Sequence, residues 1–269
     1  MKNNNKWMFL SSSTLKIIGM ILMFIDHFAV QFSIQLGDLY FPLRVLGRIA
    51  FPIFAYLITD GMIHSKNKIK YILQMLILGI IIEFVDQSFI HMNQGNIMIT
   101  LATSAIIIYF LQRNNWYEKL ISIIPLTIVL LAENKIGIID FTFQYGIYGI
   151  ILIVGFYLCY LLCAKIVEKI NKDEDLNEKL HSQKFILFRN IISCLFLIVF
   201  NIIWFFFAKS VNYYNEITIK LQFFAVLSCL VIIFYSGKRG YNKKWFKWFC
   251  YLYYPLQFIL VYVLYLLLV

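Results

Sequence analysis

Charge is what this sequence has least of. Asp, Glu, Lys and Arg make up only 14% of its residues, about half the share of an average soluble domain. That scarcity excludes a water-covered globule of 269 residues, because there is too little polar surface to clothe one. Metal and disulfide spacing are missing as well. The five cysteines, Cys159, Cys163, Cys194, Cys229 and Cys250, all sit in apolar runs. They read as small core residues, and no metal site is expected. No small-residue cleavage site follows the first apolar run, which is also too long for the core of a signal peptide. The run from Leu15 therefore reads as a retained first span. No internal repeat or low-complexity tract stands out.

What the chain has in place of charge is apolar surface, at 61% of its residues, and lipid must cover it. The predicted fold class is all-α: a polytopic transmembrane helical bundle of about nine spans. The whole chain, 1–269, reads as a single integral membrane domain. Apolar runs near the 20 or so residues that a crossing helix needs lie at 15–36, 44–63, 69–90, 97–112, 119–132, 145–165, 187–208, 217–236 and 247–268. The fifth is the shortest and contains Pro125. A charged linker at about 166–186, including KINKDEDLNEKLHSQK, separates the sixth and seventh.

The net charge of +10 does not require a nucleic-acid partner, because its positions explain it. Lys66, Lys68 and Lys70, then Arg113, then the 165–186 segment, then Lys238, Arg239, Lys243 and Lys244 fall in alternate loops. The intervening loops hold only scattered positives, chiefly Arg44, Lys135 and Lys209. By the positive-inside rule the N-terminus is cytoplasmic and the C-terminus outside. Trp7, Trp116, Trp245 and Trp248 fall at the inner boundary, and Tyr40, Tyr213 and Tyr214 at the outer one, as interfacial aromatics do.

The informative residues are the ionisable ones inside apolar runs: Lys16, Asp26 and His27 in the first, Arg48 and Asp60 in the second, Glu83 in the third. A charge at mid-membrane costs about 2.5–3.5 kcal/mol on insertion scales, so such groups face a partner or a cavity. At 1.5 Å per residue, His27, Arg48 and Glu83 fall in one layer roughly 18–24 Å from the inner surface. Lys16 and Asp60 fall near that surface. A plainer reading ties the helices together with ion pairs, Arg48 to Glu83 or Asp26 and Lys16 to Asp60. The spacing of Lys16 and His27 adds a functional one. They are 11 residues apart, hence within about 20° on one helix face. A cation at the mouth of a pocket suits a phosphate, and an imidazole at its end suits proton transfer. Adjacent Asp26 and His27 point about 100° apart on a helix, so Glu83 is the better candidate to orient His27. Arg48 would then meet a developing negative charge.

LKIIGMILMFIDHFA (15–29) and PLRVLGRIAFPIFAYLITDG (42–61) resemble the opening of TraX-family membrane proteins. The likeness continues through Glu83, Asn96 with Thr100, QYGIYGIILI (144–153) and GKRG…YLYYPL (237–256). The namesake of that family is implicated in N-acetylation of conjugative pilin. TraX proteins are in turn similar to the acyltransferase-3 membrane enzymes, whose first span carries a basic residue, ten intervening residues and a histidine, the spacing of Lys16 and His27. Where those enzymes carry a serine in their second signature, this chain has Thr59-Asp60-Gly61.

The resemblance implies a membrane acetyltransferase of a bacterial-type inner membrane, with acetyl-CoA as co-substrate and a protein amine or an envelope glycan as acceptor. His27 would be the base or the covalent acyl carrier, with Asp26, Arg48 and Glu83 around it. Lys16, Asp60, Lys238 and Arg239 would form the end that receives CoA. A transporter or a non-catalytic assembly subunit is the alternative, since buried charges also mark those.

Overall fold

The structure is a computed structural model, and it describes residues 7–89, 95–134, 143–170, 176–211, 213 and 215–269. Among these residues every extended element is helical. In chain order they are α1 (Ser12–Gln31), α2 (Ser33–Leu36), α3 (Tyr40–Arg48), α4 (Ala50–His64), α5 (Lys68–Phe89), α6 (Ile97–Leu111) and α7 (Trp116–Leu120). There follow α8 (Ile123–Glu133), α9 (Gly146–Ile170), α10 (Leu176–Leu180), α11 (Gln183–Ser210), α12 (Glu216–Phe223), α13 (Cys229–Ile232) and α14 (Lys244–Leu268).

Among the described residues five stretches are long and apolar enough to cross a bilayer: Ser12–Gln31, Ser33–His64, Gly146–Ile170, Gln183–Ser210 and Lys244–Leu268. With the outward display of side chains such as Leu158, Leu162, Ile203, Phe206 and Leu266, they make this a multi-pass membrane protein. Each of the expected runs contains helix, but not always one of spanning length. The 11 residues of α8 reach about 16 Å, half of a roughly 30 Å hydrocarbon core. The run expected at 217–236 is α12, a 3-10 stretch at Phe224–Ser228, and α13.

Local sequence explains the ends. Ser11, Ser182 and Asn215 cap α1, α11 and α12, each side-chain oxygen accepting from the backbone N–H three residues on, as short polar side chains do at helix starts. The break between α3 and α4 precedes Pro52, which has no N–H to offer the Arg48 carbonyl. Pro42 and Pro125 sit in first turns, where no such donor is needed. Within the segment 166–186, α9 continues to Ile170, α10 covers Leu176–Leu180 and α11 begins at Gln183. Residues 171–175 of that linker, with Lys135 and Tyr214, lie outside the described residues.

The chain divides into two compact units, 1–57 with 158–269, and 58–157. In the first, α1 packs on α3 and α14, and α12 packs on both α3 and α11. The segment from Phe234 to Tyr241 is tied to the start of α1. Leu10 N–H donates to Phe234 O (3.1 Å) and Ser236 N–H to Leu10 O (2.8 Å). Ser12 and Ser13 N–H donate to the carbonyls of Lys238 (2.8 Å) and Arg239 (3.2 Å). These bonds satisfy α1 amides that have no partner within the helix. Gly240 has φ +69°, and a Cβ there would collide with the Ser11 and Ser13 hydroxyls, so the strap requires glycine at that point.

In the second unit α6 packs on α5 and α8, and Ile107, Val129 and Ile150 form a core closed by Leu111, Leu126, Phe143 and Val154. Between α6 and α7, Arg113 hydrogen-bonds Glu118 and holds its carboxyl below the usual carboxylate range. Solvent screens that exposed pair, which therefore adds little stability.

Candidate functional site: a buried carboxylate, two arginines and a histidine

Residues Arg44 and Arg48 stand four apart on α3, which puts both guanidiniums on one face. Asp26 of α1 meets them. Its Oδ2 accepts from Arg48 Nη2 at 2.9 Å. Its Oδ1 lies 2.7 Å from Arg44 Nη1, an ion pair without hydrogen-bond alignment. The side chains of Asp26, Arg44 and Arg48 are 9%, 14% and 11% exposed. Gly47 makes the approach possible, because a Cβ there would collide with the Asp26 carboxylate. The cluster gathers two guanidiniums around one carboxylate. In a low-dielectric setting guanidiniums are a strong attraction for an anion or for developing negative charge.

His27, the next residue, turns towards α14. Its ring centroid is 4.4 Å from that of Phe258, and Phe258 in turn meets Tyr254 edge-on at 5.2 Å. Asp26, Arg44 and Arg48 all act on the imidazole electrostatically, and the amide of Gln257 is its polar neighbour. Nδ1 is buried and completes no hydrogen bond. The arrangement offers a half-buried imidazole beside a cationic cluster, which can move a proton while a neighbouring oxygen gains charge.

The other predicted residues are distributed as follows. Glu83 and Asp60 lie in the second unit. Glu83 Oε2 accepts from both the backbone N–H and the side-chain amide of Asn96, each at 3.1 Å. Asn96 also donates to Gly79 O at 2.8 Å and caps α6, so the carboxylate helps to fix α5 to α6. Asp60 faces His64 one turn along α4, at 3.5 Å. Thr59 donates to the Ile153 carbonyl at 3.0 Å, and Thr100 to the Gln144 carbonyl at 2.7 Å. Lys16 lies near Cys250 of α14. The side chains of Lys238 and Arg239 stay exposed while their carbonyls hold α1.

Three features of the first unit are not apparent from the sequence pattern. Arg44 looks like an isolated loop positive; its i−4 spacing from Arg48 is the available signal. Gln257, 2% exposed, is a lone amide in the apolar run of α14. Arg189, 3% exposed, lies over the rings of Tyr56 (5.2 Å) and Tyr235 (5.8 Å). Beside it Tyr56 OH donates to Asn190 Oδ1 at 2.6 Å, and Asn190 Nδ2 to Tyr235 O at 2.8 Å. Among the described residues no three His, Cys, Asp or Glu side chains converge as a metal site.

The family described as TraX protein matches residues 11–170, the stretch that holds Asp26, His27, Arg44, Arg48 and Glu83. A probable fimbrial assembly protein FimC, serogroup H1, of Dichelobacter nodosus is 31% identical over 105 residues, which is 34% of this chain and 43% of that protein. The chain thus spans less than half the length of that relative. No solved structure matches.

Proposed function

Since the chain belongs to the TraX family, we propose that it is a membrane-embedded acetyltransferase, moving an acetyl group from cytosolic acetyl-CoA to an amine or hydroxyl acceptor. The observation that carries this reading is His27, placed in a membrane helix beside a cationic cluster and on the face it shares with Lys16. The association of TraX proteins with pilin acetylation supports it. The name of the fimbrial assembly relative supports a protein amine in an envelope assembly as the acceptor.

In this mechanism the acceptor nitrogen or oxygen attacks the thioester carbonyl. The new C–N or C–O bond forms, the C–S bond breaks, and the acceptor proton passes through His27 to the departing sulfur, giving the CoA thiol. The guanidiniums of Arg44 and Arg48 stabilise the oxyanion that appears between those events. Alternatively His27 carries the acetyl group covalently. Lys16, Lys238 and Arg239 offer cations to the phosphates of CoA.

Purified protein should release CoA thiol from acetyl-CoA when offered a panel of amines and sugars. Neutralising Lys16, Lys238 and Arg239 together should raise the KM for acetyl-CoA, leaving kcat near its original value. An unchanged KM would mean that these cations serve only topology.

A second reading, a non-catalytic assembly subunit, draws on the fact that Asp26 and Glu83 are already bonded within the protein. Absence of thioester consumption with every acceptor would favour it.

The proposal includes nine spans with the N-terminus inside and the C-terminus outside, for which the alternation of loop charge is the support. Single cysteines at Asn67 and Asn242 should then resist impermeant thiol reagents in intact cells, while one at Asp38 should react. The reverse pattern would invert the orientation.

A further inference from the structure

We propose that Gln257 is a positioning residue for His27: its amide oxygen accepts the Nδ1 proton and leaves Nε2 as the nitrogen that exchanges protons with the acceptor. The inference rests on the reading of His27 as a base, and it adds a partner from the far end of the chain. α14 is registered against α1 by Tyr253, whose hydroxyl donates to the Met20 carbonyl at 3.0 Å. One turn further along, Phe258 covers the imidazole at 4.4 Å. Gln257 precedes it, 2% exposed. Neither atom of its amide has a hydrogen-bond partner, and neither has Nδ1 of His27. The amide is nonetheless the uncharged polar side chain next to the ring.

Buried amides left unmatched are costly, at about 1–3 kcal/mol per group. Here the unmatched atoms are complementary, an amide oxygen that accepts and a ring nitrogen that can donate. The direction of the bond follows from the ring. A neutral imidazole has one donor and one acceptor nitrogen. Nδ1 is the buried one, so a base that meets an acceptor molecule must keep its lone pair on Nε2 and its proton on Nδ1. That proton needs an acceptor; the Asp26 carboxylate is directed at Arg44 and Arg48 on α3, whereas Gln257 belongs to α14, the helix that the ring faces. An amide fixes the tautomer without adding another charge to the membrane interior, where an unmatched charge is expensive.

The test uses the full chain in lipid nanodiscs with 15N-labelled histidine, the His27 signals being identified from their loss in His27→Gln. The titratable and polar groups acting on the ring are Asp26 on α1, Arg44 and Arg48 on α3, and Gln257 on α14, and all but Gln257 stay constant. The native protein should show His27 protonated at Nδ1. Gln257→Leu should shift it to a mixture of tautomers and lower kcat by roughly 10–100-fold, the scale of loss when a metal-binding histidine loses its orienting partner, with the KM for acetyl-CoA unchanged. Gln257→Glu should raise the pH at which His27 titrates, because a carboxylate favours the imidazolium, and should move the acidic limb of the kcat profile with it. Gln257→Met replaces the leucine variant if that one fails to insert.

A tautomer indifferent to Gln257, or a Glu variant that titrates as the native protein does, overturns the proposal. If the tautomer responds as expected but no acetyl transfer occurs in the native protein, Gln257 still positions His27 and the acetyltransferase reading falls. If His27→Ala abolishes transfer and the tautomer ignores Gln257, the positioning role alone falls.

Discussion

Replacing His27 with alanine should abolish acetyl transfer, lowering turnover by roughly 10²–10⁴-fold, the loss typical of a general base, while the protein still inserts, purifies and binds CoA. The size of the effect separates chemistry from packing. His27 stacks on Phe258, so its removal also opens space between α1 and α14, and a packing loss would appear mainly as reduced stability or yield. His27→Gln keeps much of the volume and a hydrogen-bonding group but supplies no base, so it should be as inactive as the alanine variant and more stable. Thioester release and CoA binding, measured on the same preparations, decide the matter. Residual activity above about a tenth of the native rate, less than any such base effect, would remove His27 from the mechanism.

The largest loss of stability should come from Asp26→Asn. The substitution is nearly isosteric, so what it removes is charge. Arg44 and Arg48 would then face each other in a membrane helix pair with no carboxylate between them. Breaking a buried pair from one side costs about 3–5 kcal/mol, a large share of the roughly 5–15 kcal/mol that holds a folded domain together. The expected result is a sharp fall in Tm and in the fraction of monodisperse protein. Partial recovery should follow when Arg44→Gln is added, because the double variant removes one of the two guanidiniums that lost the Asp26 carboxylate. A single Asp26→Asn variant with native Tm would show that the cluster does not hold α1 to α3. Recovery of stability without recovery of turnover would assign the second arginine to the oxyanion.

Part of the site is legible in the amino-acid sequence, and the line between that part and the rest has physical causes. Asp26, His27 and Arg48 can be found because an ionisable residue in an apolar run is costly wherever the chain places it. Arg44 escapes because hydropathy puts the start of the second apolar run beside it. The helix begins at Tyr40, since Pro42 in a first turn interrupts no hydrogen bond. Glu83 is visible as a buried acid, but its engagement by Asn96 depends on the packing of α6 against α5. The Lys238–Arg239 pair is recognisable as basic. That its carbonyls cap α1, more than 200 residues earlier, is written in no local pattern.

By itself, then, the sequence determined the class of the protein, because scarcity of charge and abundance of apolar residues leave lipid as the only adequate solvent. It also determined the helical character of each apolar run and the shared face of Lys16 and His27, since both follow from the fixed geometry of a helix. Only the tertiary structure decided which partners those residues meet: both arginines on Asp26, Phe258 and Gln257 against His27, Asn96 on Glu83. The reason is that helix periodicity specifies which face a side chain occupies, whereas the neighbour opposite that face is chosen by packing between segments far apart in the chain.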